Sequence, residues 1–130
     1  MKRFTLSALL SKRALGLALA AVSAAVVIAG PATTAQASGC GVSGGKLWCS
    51  NRVAPVKWGP SYYSETGDVL RSTHSWFACW TTGQLHEGGN TTWYYTQGDD
   101  SGMWGYVPAV ALDTSSAFDA NPTGNGLRHC

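Results

Sequence analysis

All four cysteines of this chain, Cys40, Cys49, Cys79 and Cys130, lie beyond residue 37, behind a segment with the make-up of a secretory leader. Lys2, Arg3, Lys12 and Arg13 give a basic start, residues 14–29 are uninterruptedly apolar or small, and Ala35-Gln36-Ala37 supplies a small-x-small cleavage site. The apolar run falls short of the roughly 20 residues that a spanning helix needs, so no membrane span is expected. Cleavage after Ala37 leaves 93 of the 130 residues, enough for one domain with a modest core. An even cysteine count in so small an exported chain argues for two disulfides, which limit strongly what it can fold into.

Three pairings are open. Cys40 and Cys130 sit near the two ends of the mature chain, so Cys40–Cys130 with Cys49–Cys79 is the preferred arrangement. Closing so long a loop contributes about 4 to 5 kcal/mol in the chain-entropy model. Zinc is disfavoured, because the cysteines form no Cys-x-x-Cys pair and the histidines are dispersed; no metal and no cofactor is expected. Ala37-Ser38-Gly39-Cys40 looks like a bacterial lipoprotein box, which makes anchoring by lipid through Cys40 the minor alternative. Free secretion is favoured: Ala37 stands where such boxes carry leucine, and lipidation of Cys40 would strand an odd thiol.

The charge balance changes with the leader. Residues 1–37 hold four of the nine basic residues and none of the seven acidic ones, so the precursor's +2 becomes five bases against seven acids, or −2. Lys46, Arg52, Lys57, Arg71 and Arg128 are scattered singly, which offers no footprint for nucleic acid or an anionic membrane.

Past a glycine- and serine-rich lead-in (residues 38–45), short apolar or aromatic runs alternate with turn residues, the pattern of strands. Strands are predicted at residues 47–50, 55–58, 69–71, 75–81, 91–97, 103–108 and 110–112, and no window has helical periodicity. Gly98-Asp99-Asp100-Ser101-Gly102, between two aromatic runs, is predicted as a hairpin turn. The fold class is all-β, a small barrel with an N-terminal lead-in and first strand (38–54), a body (55–112) and a C-terminal strap (113–130) tied by a disulfide. Thirteen aromatic residues in the mature chain are more than so small a body can bury, so some are expected on its surface.

Four segments in order resemble the bacterial SH3 (SH3b) family. Val56-Lys57-Trp58-Gly59-Pro60-Ser61 looks like its opening Val-Arg-x-Gly-Pro-Ser segment, with Lys57 in place of arginine, and Asp68-Val69-Leu70 looks like the strand closing its first long loop. Trp93-Tyr94-Tyr95 resembles the strand before the distal turn, and Gly105-Tyr106-Val107-Pro108 with Leu112 resembles the closing segment. Thr73-His74-Ser75 lacks the glycine common there, residues 84–90 form a longer insertion, and the cysteines and the strap lie outside the likeness. The resemblance implies an SH3-like barrel that recognises a ligand without catalysing a reaction, many members binding cell-wall peptides or other polypeptides. It places a groove between the loop after Pro60 and the strands carrying Trp93 and Pro108. Trp58, Tyr62, Tyr63, Trp93, Tyr95 and Pro108 would form its walls, with Glu65 and Asp68 available to a basic or amine-bearing partner.

Several catalytic patterns carry less than their form promises. Gly41-Val42-Ser43-Gly44-Gly45 matches the nucleophile elbow of serine hydrolases, yet no helix is predicted after it. His86-Glu87 opens like a zinc-protease motif, but Asn90 stands where the second histidine belongs. Asn90-Thr91-Thr92 is a glycosylation sequon in form only, the leader being bacterial in character. The leading expectation is a secreted binding module for a cell-wall peptide, another wall polymer or a polypeptide. One alternative is an adapter or inhibitor subunit docking on another secreted protein, in a toxin-like or other extracellular assembly. Another is a small hydrolase using His74 or His86 with Asp99 or Asp100.

Overall fold

In Lys46-Leu47-Trp48-Cys49-Ser50 alternation places Leu47 and Cys49 on one face and Trp48 on the other, as a strand lying on a core requires. The computed structural model describes residues 39–130, so the leader lies outside the described residues. The strands run β1 (Cys40–Ser43), β2 (Lys46–Ser50), β3 (Ala54–Lys57), β4 (Thr66–Leu70), β5 (His74–Phe77), β6 (Cys79–Thr82), β7 (Thr92–Gln97) and β8 (Trp104–Pro108). They form two antiparallel sheets, a three-stranded one of order β1-β2-β5 and a five-stranded one of order β4-β3-β8-β7-β6.

The chain is therefore mostly β, but the two sheets do not close into the single barrel expected. The run predicted as one strand at 75–81 is interrupted at Ala78, so β5 pairs with β2 while β6 turns to pair with β7. An isolated bridge between Asn51 and Leu112, with the Arg52 N–H donating to the Ala111 carbonyl at 2.8 Å, ties the sheets together. Residues 109–111 form a 3-10 turn in place of the predicted strand, leaving Leu112 to make that bridge.

Both ends of the described chain are better ordered than their composition promised. The lead-in is a strand because Gly44 and Gly45 both adopt positive φ (61° and 78°), the tight-turn geometry that joins twisted antiparallel strands. The strap holds a short helix, α1 (Ser116–Ala120), opened by Ser115, whose Oγ accepts the Phe118 N–H at 3.1 Å. Five residues are too few to register as helical periodicity. Phe118 and Leu127 of this strap are fully buried beside Leu47, Val56, Phe77, Tyr94 and Val107, so the strap completes the core.

The disulfides are Cys40–Cys49 and Cys79–Cys130, which corrects the preferred pairing. The β1–β2 register sets Cys40 opposite Cys49 with their Cα atoms 4.0 Å apart. At the other end, the Trp80 N–H donates to the Arg128 carbonyl and the Cys130 N–H to the Trp80 carbonyl, which brings Cys130 to Cys79. With its sulfur bonded to Cys49, Cys40 is not free to carry lipid. Two disulfides accord with an oxidising, extracellular environment. Among the described residues, no helix is long and apolar enough to cross a membrane.

Candidate functional site

The β7–β8 turn is built around Asp68, a residue the sequence offered as a ligand-binding carboxylate. Its two oxygens accept the N–H groups of Val69, Asp100, Ser101 and Met103 and the Ser101 hydroxyl, at 2.7 to 3.0 Å. Burial alone would raise the Asp68 carboxyl, but these donors outweigh it and hold the group far below the usual carboxylate range. Asp68 thus serves the turn, with both of its carboxylate oxygens already engaged. Gly98 is required here, since a Cβ at that position would run into the Asp68 side chain.

A second pair of loops shapes a concave site. Residues 59–65 fold back on themselves: the Gly59 N–H donates to Ser64 Oγ, and the Ser64 N–H to the Ser61 carbonyl. Gln84 then locks this loop to the next one, its Oε1 accepting the Tyr62 N–H at 2.7 Å and its own N–H donating to the Pro60 carbonyl at 2.9 Å. The neighbouring Gly83 leaves no room for a Cβ beside that same carbonyl. Tyr62 is thereby set edge-on against Trp93, centroids 5.3 Å apart, with its hydroxyl donating to Glu87 Oε1 at 2.8 Å.

The result is a cavity of about 170 Å³ lined by Arg52, Pro55, Lys57, Tyr62, Glu87 and Pro108, among others. Burial, the hydrogen bond to Glu87 and its negative charge push the Tyr62 phenol up to about 12. The same hydrogen bond holds the Glu87 carboxyl below its ordinary value. Aromatic, proline, acidic and basic groups thus converge on one recess, the composition of a recognition pocket.

Of the walls named from sequence, Tyr62 and Pro108 line this cavity. Trp93 is fully buried and supports Tyr62 from beneath, its Nε1–H donating to the Gln84 carbonyl at 2.8 Å, so it is a prop and not a wall. Trp58 lies beside Gly67 and Met103, away from the recess, and Tyr63 stands 91% exposed at the loop tip. Glu65 is exposed outside the recess, its carbonyl accepting the Trp58 N–H. Tyr95 belongs to a different cluster, packed between Trp104 and Tyr106 on the outer face of β7 and β8.

Arg52, Pro55, Lys57 and Glu87 also line the recess and are not among the walls expected from sequence. Pro55 and Lys57 flank Val56 in a strand whose alternation points them outward, a signal that was available. Nothing in the sequence sets Glu87 opposite Tyr62, 25 positions away.

Among the described residues no hydrogen bond joins His74 or His86 to Asp99 or Asp100, although His74 and Asp99 line one small cavity of about 80 Å³ with Ser72 and Ser75. His86 is buried, its Nδ1 accepting the Gly88 N–H at 3.1 Å and its Nε2 facing the Thr92 carbonyl at 3.0 Å, so both ring nitrogens hold the 84–92 loop. His74 is exposed, with Nδ1 3.4 Å from Ser50 Oγ, beside a wide shallow depression of about 490 Å³ along β1. Asp99 accepts the N–H groups of Ser72 and Arg71, and Asp100 forms a two-point ion pair with the Arg71 guanidinium at 2.7 and 2.9 Å. Ser43 of the Gly-x-Ser-x-Gly segment closes β1 at a hairpin, with no helix after it. The sequon's Asn90 is turned inward, its Nδ2 donating to Asp119 and its Oδ1 accepting the Thr92 N–H.

Comparison of the chain with protein-family models, curated proteins and solved structures found no match in any of the three.

Proposed function

We propose that the mature chain is a secreted, SH3b-like recognition module that binds a cell-wall peptide or another extended polypeptide in the recess between Tyr62 and Pro108, without covalent chemistry. The observation that carries this reading is the recess itself. A tyrosine ring held rigid by Trp93 and Glu87 faces prolines from two adjacent strands, with Arg52 and Lys57 supplying positive charge and Glu87 negative charge. A preorganised aromatic ring loses little freedom on binding, which suits it to anchor a peptide. The engagement of both His86 nitrogens by the main chain supports a non-catalytic role.

A second reading is favoured by Tyr63, Leu85 and Val53, all exposed on the loops and segment around the recess, which would suit docking on a folded secreted protein. Co-sedimentation with purified peptidoglycan, set against capture of proteins from culture supernatant, separates the two. Retention on the wall preparation supports the peptide reading. Retention of supernatant proteins alone replaces it with the docking one.

A further inference from the structure

The edge strand of a sheet presents main-chain donors and acceptors without partners, and native folds cover or blunt such edges. Of the outermost strands of the two sheets, β4, β5 and β6 are engaged by other parts of the chain and β1 is not. β4 is held by the β7–β8 turn, the Asp99 N–H donating to the Val69 carbonyl at 2.9 Å and the Val69 N–H to Asp68 Oδ1 at 2.7 Å. The strap covers β6, bonding both main-chain groups of Trp80. β5 lies against β7: its Trp76 carbonyl accepts the Thr96 hydroxyl at 2.7 Å, and the Ala78 N–H just beyond it donates to the Tyr95 carbonyl at 2.8 Å. Among the described residues, no hydrogen bond reaches the outer side of β1.

The β1–β2 ladder fixes which groups stand open. The Ser50 N–H donates to the Gly39 carbonyl at 3.0 Å, one position outside Cys40–Cys49, so Cys40–Cys49 and then Val42–Leu47 are the pairs that exchange no hydrogen bonds. The N–H and C=O groups of Cys40 and Val42 therefore point away from β2, on either side of Gly41. Residues 38–45 carry neither charge nor proline, so nothing in the edge opposes a second strand. Cleavage after Ala37 leaves only Ser38 ahead of Gly39 to cover it. On the outward face Trp48 leans over β1, its Nε1–H donating to the Ser43 carbonyl at 3.3 Å, and stays 41% exposed beside the depression of about 490 Å³ along this edge.

We propose that β1 pairs antiparallel with β1 of a second copy, across a two-fold axis at Gly41, joining the two three-stranded sheets into one continuous sheet. In that register Cys40 of each copy faces Val42 of the other, and each facing pair exchanges two hydrogen bonds, which uses every open group of both residues. The glycines at the axis explain why the partner is the chain itself. Gly41 facing Gly41 leaves a trough without side chains on the outward face, and Trp48, opposite Gly41 in the register, flanks it from each copy. Three strand spacings separate the two Trp48 Cα atoms, about 14 Å, a gap that two indole side chains leaning inward can cover. A foreign strand brings no such second ring. The edge shares no residue with the Tyr62–Pro108 recess, so the two sites stand or fall separately.

The test is sedimentation equilibrium of the exported, oxidised protein from about 10 μM to about 1 mM, the range in which so small an interface associates. A monomer–dimer equilibrium that stops at two copies is expected. Hydrogen exchange over the same range should slow at least three-fold at the Cys40 and Val42 amides, but not at Gly41, whose N–H β2 already holds. Val42→Pro removes an N–H that the β1–β2 ladder does not use, at an edge position that tolerates proline, and should leave a folded monomer. A protein that stays monomeric at about 1 mM overturns the proposal; slowing of the same two amides by an added threonine-valine repeat peptide would then give the edge to a foreign strand. Association that leaves Cys40 and Val42 exchange unchanged also overturns it, as does a folded Val42→Pro protein that dimerises like the parent. If Val42→Pro does not fold, the exchange comparison in the parent protein decides alone.

Discussion

The Tyr62 hydroxyl donates to Glu87 at 2.8 Å across two loops whose sequence positions differ by 25, and this contact fixes one wall of the recess. Its electrostatic consequence is measurable. The Tyr62 phenol should titrate near 12, well above the ordinary tyrosine value, and Glu87→Gln should bring it down by removing the negative charge. NMR titration of ring-labelled tyrosine reads both values. A Tyr62 phenol that titrates near 10, alike in both proteins, would show that the contact does not persist in solution.

Acid should weaken the fold through its turn. Asp68 and Asp99 at the turn, and Glu87 in the 84–92 loop, are all held below their unfolded values, so their stabilisation is fully present above about pH 5 and is lost as pH falls through the folded values. Asp68→Asn should lower the melting temperature at neutral pH and flatten its decline between pH 5 and pH 2. Parallel melting curves for the two proteins would assign the acid sensitivity to other groups.

The disulfides should contribute unequally. Cys79–Cys130 spans 51 positions and Cys40–Cys49 only 9, so loop-closure entropy gives about 4 kcal/mol for the first and about 2.5 kcal/mol for the second. Denaturant unfolding of the Cys79→Ser/Cys130→Ser and Cys40→Ser/Cys49→Ser double variants should rank them in that order. The first should also loosen the strap, since Cys130 closes it.

Tyr94 and Asp119 form the buried polar joint between β7 and α1. The Tyr94 hydroxyl donates to Asp119 Oδ1 at 2.6 Å, and burial together with that carboxylate holds its phenol far above the ordinary range. Thr114 Oγ1 and Asn90 Nδ2 donate to the same carboxylate. Tyr94→Phe takes a donor from a buried acceptor and should cost about 1 to 3 kcal/mol in denaturant unfolding. Hydrogen exchange should quicken first in residues 114–121.

The strands were legible because they rest on local rules. The strand predicted at 47–50 and the Gly-Asp-Asp-Ser-Gly turn are both present in the structure. What local rules missed depends on partners far along the chain. Cys130 reaches Cys79 only because the strap's backbone runs beside Trp80, and Asp68 is occupied by a turn some 30 positions ahead. Spacing cannot reveal either. The two glycines that make the lead-in a hairpin do not announce it in the sequence, since Gly-Gly serves flexible linkers and tight turns alike. For the recess, Tyr62 and Pro108 were named in advance, whereas Glu87 and Arg52 required the fold to bring them there.

The central claim, that the Tyr62–Pro108 recess is a peptide site, is tested most directly by amide-shift mapping during titration with peptides solubilised from peptidoglycan. Saturable shifts should cluster at Arg52, Lys57, Tyr62, Glu87 and Val110, and Tyr62→Ala, still folded by its spectrum, should weaken binding at least ten-fold, as loss of an aromatic anchor does. Absence of saturable shifts in the recess, or equal affinity in the Tyr62→Ala protein, would contradict the account.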